Sequence, residues 1–217
     1  LAQDAPQGQS SGMTVWLLQM RSTYHQVTSH PWVFLFSDTP LTIVNTRKSL
    51  DSLVDELSKA KVIGVDTESD SFHHFQEKVC LIQFSTLDQD FIVDPLAIDG
   101  IESLKGVFSD PSIVKVLHGA DYDIVCLRRD FGFQIRSLFD TLIAAQLLGM
   151  KRIGLADLID RFFAITIDKQ FQRHDWAQRP LRPQHLEYAR GDTHFLLALR
   201  EILTMRLKRM KRMAHLK

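Results

Sequence analysis

Net charge is the first thing this sequence lacks. Its 26 lysines and arginines balance 26 aspartates and glutamates, so partners are chosen by how charge is distributed and not by its total. Cysteine is scarce. The two present, Cys80 and Cys126, sit inside the apolar runs VCLIQF and IVCLRR. That placement favours buried free thiols and a reducing compartment over a disulfide framework. No apolar run approaches the ~18 residues of a membrane span. WVFLF, residues 32–36, is too short to anchor anything, and MTVWLLQMR is too short and too polar for a signal-peptide core. The expectation is a soluble, cytoplasmic protein with no membrane partner. No internal repeat is visible either. What remains is ordinary for a globular chain: 217 residues, 45% hydrophobic and 24% charged, enough for one domain of fair size with extensions.

The first dozen residues, LAQDAPQGQSSG, read as a polar, disordered lead-in. Short β-prone runs follow from about 32 to 44. NTRKSLDSLVDELSKAK then places Leu50, Leu53, Val54 and Leu57 at helical spacing. Thr46 is the candidate cap, and Lys59 and Lys61 stand near the far end, where cations suit the helix dipole. Strands are predicted at 62–68, 79–86, 90–94 and 112–118, with a helix at 100–108 between the last two. A helix over 121–132 has Gly132 as its stop signal, and two more helices follow at 141–148 and 154–163. A loop rich in charge and proline spans 166–183, and one long helix is expected from Pro183 to about Met210. Strands first and helices later describe an α/β domain, a mixed sheet covered by helices on both faces.

Acids stand where this pattern leaves the core. In the strand VIGVDTE, Asp66 and Glu68 are two apart and project from one face. Asp121 and Asp123 open the next helix in HGADYDIVCL, and Tyr188 and Asp192 are four apart on the last helix, sharing a face. Two bare carboxylates ~4 Å apart repel by about 4 kcal/mol at an effective dielectric of ~20. A convergent group must therefore take up protons or bind divalent cations. Oxygen-only ligands suit Mg²⁺ or Mn²⁺, and a pair of such ions is an arrangement for in-line displacement at phosphorus. Taken singly, each acid is more often a helix cap or a solvated surface charge; the combination is what points to a metal.

VDTES, HGADYDIVCL and YARGDTHFLL resemble the three exonuclease motifs of the DEDD superfamily of 3′→5′ exonucleases. Tyr188, four before the last acid, resembles the tyrosine-bearing (DEDDy) branch, and within it ribonuclease D and the exosome-associated nuclear exonuclease. VCLIQFST, LFDT at 138–141 and DWAQRPL at 175–181 extend the similarity, which covers roughly residues 40 to 205. The resemblance implies a ribonuclease H-like fold. It also implies two divalent cations held by Asp66, Glu68, Asp123 and Asp192, with Asp66 bridging both and Tyr188 holding the attacking water. The implied reaction is 3′→5′ hydrolysis of RNA ends to nucleoside 5′-monophosphates, in trimming or maturation of single-stranded or tRNA-like precursors. A DNA exonuclease of the same superfamily and a non-catalytic RNA-binding scaffold are the alternatives. In domain terms, residues 1–30 are expected as an extension and 31–217 as the exonuclease domain, ending in a long basic helix without the HRDC-type domains of ribonuclease D. Where the exosome relatives commonly carry an arginine after the DW of the loop, this chain has Ala177, a departure that counts against exosome-type behaviour and leaves the metal site untouched.

Lesser features carry two readings each. Thr67 lies between the first two acids as a candidate substrate contact. In FHHF (72–75), His73 and His74 contact RNA and a phenylalanine stacks on a base, or the loop is polar and tucks one Phe into the core. The His pair lacks the partners and spacing of a zinc site. His118 positions substrate or makes a hydrogen bond at a strand end. In the loop before the last helix, Arg179 or Arg182 holds a phosphate, or the loop packs through Trp176 and leaves its arginines in water. The tail from Arg200 onward, with seven basic residues and one acid, extends phosphate binding or is a solvated helix end.

Overall fold

A computed structural model describes residues 39–216. The polar lead-in and the run at 32–36 lie outside the described residues. β1 (Leu41–Val44) leads into α1 (Arg47–Leu57), β2 (Val62–Ser69), β3 (Val79–Ser85) and β4 (Asp90–Val93). Then come α2 (Leu104–Ser109), β5 (Val114–Leu117), α3 (Asp121–Phe131), β6 (Leu138–Asp140), α4 (Thr141–Leu147) and α5 (Leu155–Phe163). α6 (Pro183–His194), α7 (Leu196–Arg209) and a 3₁₀ turn at Met213–Leu216 complete the order.

The six strands form one sheet in the order β1-β4-β3-β2-β5-β6. β3 runs antiparallel to β2 and β4, and the remaining pairs are parallel. This is the expected mixed sheet. β3 explains its place at the centre: all seven residues of VCLIQFS are buried, as a strand covered on both faces requires. On one face Ile63, Val65, Ile82 and Phe84 pack against Leu50, Leu53, Leu104, Phe108 and Leu127 from α1, α2 and α3. On the other, Leu81 and Ile92 meet Ala189 of α6 and the buried Trp176, while Val116 meets Leu196 and Leu203 of α7.

Local chemistry sets the ends. Thr46 caps α1 through a reciprocal pair with Ser49, its hydroxyl accepting from the Ser49 amide at 3.2 Å while the Thr46 amide donates to Ser49 Oγ at 3.1 Å. α1 stops at Leu57, so Lys59 and Lys61 fall beyond its last turn and do not complement its dipole. Gly132 ends α3 in the left-handed region at φ 67°. α2 and β5 are shorter than predicted, because residues 100–103 and 110–113 are turns tied by Leu104 N to Ile101 O and Ile113 N to Asp110 O.

The single long helix expected after Pro183 is two helices. Phe195, at φ −95° and ψ −6°, breaks it. No proline causes this. His194 is held to Asp90 at the start of β4, and the Phe195 ring turns onto Phe163 of α5, ring centroids 5.4 Å apart. α6 therefore follows the sheet over β2, β3 and β4, while α7 runs on over β2 and β5 and packs on α4 and α5. Part of the basic tail is spent on packing: Arg206 lies over the Phe162 ring at 4.6 Å, and Arg212 donates to the Leu147 carbonyl at 2.8 Å.

Candidate active site

The acids converge. One carboxylate oxygen each from Asp66 and Glu68 on β2 and from Asp192 on α6 lie within 4.8 Å of one another. Asp123 in the first turn of α3 completes the group: its charge acts on Asp66, Glu68 and Asp192 alike. Asp123 is itself held from β2, because Thr67 Oγ1 donates to its Oδ1 at 2.5 Å. Thr67 is thus a prop for an acid, on the sheet face opposite to Asp66 and Glu68.

Crowding shows in the proton affinities. Burial first, then the charges of Asp123, Asp192 and Glu68, hold Asp66 well above the usual carboxylate range. Glu68 is raised in the same way by burial, Asp192 and Asp123. Burial and Asp123 push Asp192 up to about 7. Asp123 reaches about 6 through burial, against the opposing hydrogen bond from Thr67. Burial and mutual repulsion thus both disfavour the ionised carboxylates. Four oxygen donors with no nitrogen or sulfur among them fit hard divalent ions, whose charge relieves this repulsion.

Close approach of α6 to β2 makes the convergence possible. A Cβ on Gly64, two residues before Asp66, would stand 3.1 Å from the backbone oxygen of Thr193. Glycine thus gives room to the helix that carries Asp192, where a larger residue would press on its backbone. A buried charge network then fixes the rotation of α6. Asp90 Oδ2 accepts from Arg190 Nε at 2.8 Å and is paired with His194 Nδ1 at 2.7 Å, so residues two before and two after Asp192 share one anchor. Ser85 Oγ lies 2.6 Å from Asp90 Oδ1 and 2.7 Å from Thr193 Oγ1. Burial works against ionised Asp90, yet the bonds from His194, Ser85 and Arg190 hold it below the ordinary range. Sequence reasoning missed Asp90, Arg190 and His194. The signal was present as charged residues bracketing Asp192 in YARGDTH.

Tyr188 lies one turn before Asp192. Burial, and then Asp192, Glu68 and Asp66, raise its phenol, which places the hydroxyl in the field of the cluster. Its ring is walled by Phe171, at 5.7 Å and 85°, and by Trp176, at 5.9 Å and 32°. Trp176 is 1% exposed and so packs, as one of its two readings had it. Arg179 follows neither reading. It is not left to water, nor is it free for a phosphate: its Nε and Nη2 donate to Asp94 at 2.7 Å each, and further bonds reach the carbonyls of Trp176 and Cys80. Arg182, at the start of α6, is exposed.

The histidines have other tasks. His118 Nδ1 meets Thr141 Oγ1 at 2.9 Å, the strand-end hydrogen bond, while Asp140 accepts from the amides of Gly119 and Ala120. His73 Nε2 donates to the Arg173 carbonyl at 2.9 Å, and His74 Nε2 lies 3.3 Å from Asp175 Oδ1. At its other end the same loop is fastened to α3, where Glu77 accepts from Tyr122 and from Arg129. Residues 70–78 therefore strap the helix of Asp123 to the segment that leads into α6. The loop does not tuck a phenylalanine into the core. Phe72 is 66% exposed, beneath the Arg173 guanidinium at 5.6 Å, and Phe75 is fully exposed.

Cys80 and Cys126 are free and buried, and burial pushes Cys80 up to about 12. Among the described residues no helix is long and apolar enough to cross a membrane.

A ribonuclease H-like sheet with four acids and a tyrosine at its centre describes a DEDD-type nuclease domain, and comparison with known proteins agrees. Residues 41–208 match the 3′-5′ exonuclease family model. The chain belongs to that family. It is 42% identical over 171 residues to the exosome complex component 10 homolog of Caenorhabditis elegans, covering 78% of this chain and 20% of that protein. It superposes on the catalytic core of RRP6 from Trypanosoma brucei with a TM-score of 0.78 at 36% identity, over 94% of this chain and 58% of that one. Escherichia coli RNase D, an exoribonuclease involved in structured RNA processing, matches at a TM-score of 0.74 and 29% identity, over 79% and 46% of the two chains. Identity to these exosome relatives exceeds that to RNase D. The chain spans about a fifth of the length of the exosome relative.

Proposed function

We propose that this chain is a metal-dependent 3′→5′ exoribonuclease that removes nucleoside 5′-monophosphates one at a time. The observation that supports it most is the meeting of Asp66, Glu68 and Asp192 oxygens within 4.8 Å beside Tyr188 and Asp123. In this reading Asp66, Glu68, Asp123 and Asp192 hold two divalent cations, Mg²⁺ or Mn²⁺. Bound there, the cations supply Lewis-acid charge to the phosphate oxygens and lower the pKa of the attacking water.

Tyr188 orients that water. Its phenol is raised above the ordinary value, so it stays protonated at neutral pH and acts as a hydrogen-bonding group and not as a base. Thr67 keeps Asp123 aimed at the site, and the Asp90 anchor keeps the side of α6 that carries Asp192 and Tyr188 turned toward it. Water adds to the terminal phosphorus, the bond to the 3′ oxygen breaks, and that oxygen leaves with a proton. RNA 3′ ends are the substrate proposed, because the family is one of 3′-5′ exonucleases and the similar RNase D is an exoribonuclease.

The test uses RNA labelled at its 5′ end, with a free or a blocked 3′ end, and DNA of matched sequence, with Mg²⁺, Mn²⁺ or EDTA. A metal-dependent ladder that shortens only from a free 3′ end, and is absent in Asp192→Asn, is expected. Preference for DNA would replace the substrate, and tight RNA binding without cleavage would replace the enzyme with a binding scaffold.

A further inference from the structure

Gln83 stands directly across from Asp66 in the antiparallel β2–β3 register. Directly opposed residues share a sheet face and have Cβ atoms about 4.5–5.5 Å apart, within reach of a glutamine side chain. Gln83 is 0% exposed, and neither its Nε2 nor its Oε1 has a hydrogen-bond partner among the described residues. Buried amides are almost always paired, and an exception asks for a reason.

Its neighbours on that face narrow the choice. Ile92 lies opposite on β4, and Leu81 precedes it by two on β3; neither side chain offers a polar atom. Ser85, two residues on, has its hydroxyl engaged by Asp90 and Thr193. The polar group directly opposite Gln83 is the Asp66 carboxyl. A glutamine amide offers two N–H donors, and a carboxylate that shares one oxygen with a cation has lone pairs left to accept one.

We infer that Gln83 is a positioning residue for the cation-loaded site: its amide N–H donates to Asp66, fixing the orientation in which that carboxylate ligates. This rests on the metal reading above and deepens it. Gln83 touches no substrate; it acts through Asp66.

The experiment measures Mn²⁺ binding by calorimetry, and thermal midpoints in EDTA, for the wild-type chain and for Gln83→Leu and Gln83→Met. Both variants keep a side chain of similar size without the amide. Expected is a loss of about tenfold or more in Mn²⁺ affinity, the usual cost of removing a group that orients a ligand. The metal-free midpoint should be unchanged or raised, because a buried unpaired amide is gone. If both variants bind Mn²⁺ within twofold of wild type, this inference alone is overturned. If both lose affinity only together with their metal-free midpoint, the role is packing and the inference is again overturned. Wild-type protein that binds no Mn²⁺ overturns the metal reading itself, and this one with it.

Discussion

Thr67 and Asp123 are 56 residues apart in the chain and joined by a hydrogen bond of 2.5 Å. The residue between the first two acids therefore holds the third. Thr67→Val keeps the shape of the side chain and removes the donor. Metal-dependent turnover should fall by about tenfold or more, the cost typical of losing a ligand's support, and Thr67→Ser should restore most of it. Equal turnover in Thr67→Val and wild type, in a single-turnover assay, would show that Asp123 needs no prop.

Stability should depend on pH through the same acids. Asp192 near 7 and Asp123 near 6 both lie above their unfolded values. Folded carboxyls with raised pKa values bind more protons than the unfolded chain, so their contribution is fully present below about pH 4 and is lost as pH rises through 6 to 7. In EDTA the contribution of these two groups should thus lower the thermal midpoint between pH 5 and pH 8, and Asp192→Asn should flatten that part of the slope. Mg²⁺ or Mn²⁺ should raise the midpoint most at the alkaline end. A slope indifferent to Asp192→Asn contradicts the crowding described here.

Gly64→Ala tests the approach of α6. The new Cβ meets backbone at 3.1 Å and Leu197 Cδ1 at 3.3 Å, so the helix must give way or the core must strain, at about 1–3 kcal/mol. Chemical denaturation should register that loss. Mn²⁺ affinity should fall as well, since Thr193 is the neighbour of Asp192; unchanged affinity would mean that α6 slides without turning.

Asp90→Ala removes the shared anchor of Arg190 and His194. Asp90 has a side chain 2% exposed and Arg190 one 12% exposed. Deleting one partner of a buried pair costs about 3–5 kcal/mol, a loss that urea denaturation reads directly. A loss under 1 kcal/mol would mean that other groups carry α6.

The sequence showed most of this site because its pieces depend on local pattern. A strand that ends on acids two apart, a helix that opens on an acid, and a tyrosine four before an aspartate are all visible in short windows. Long-range pairing is not. Arg179 in a loop looks the same whether it faces a phosphate or Asp94, 85 residues earlier. The break at Phe195 follows from the pull of Asp90 on His194 and of Phe163 on the ring, with no proline in the sequence to announce it. The exposed Phe72 and Phe75 defeat the rule that apolar side chains go inward, because the loop is fastened by its polar residues instead.

That fastening has a mechanical outcome. Glu77 grips α3, which carries Asp123, and His73 and His74 grip the approach to α6, which carries Asp192. Residues 70–78 thereby tie α3 to the stretch before α6 by contacts at both ends. Parting α3 from that stretch therefore costs hydrogen bonds at one end or the other of the strap.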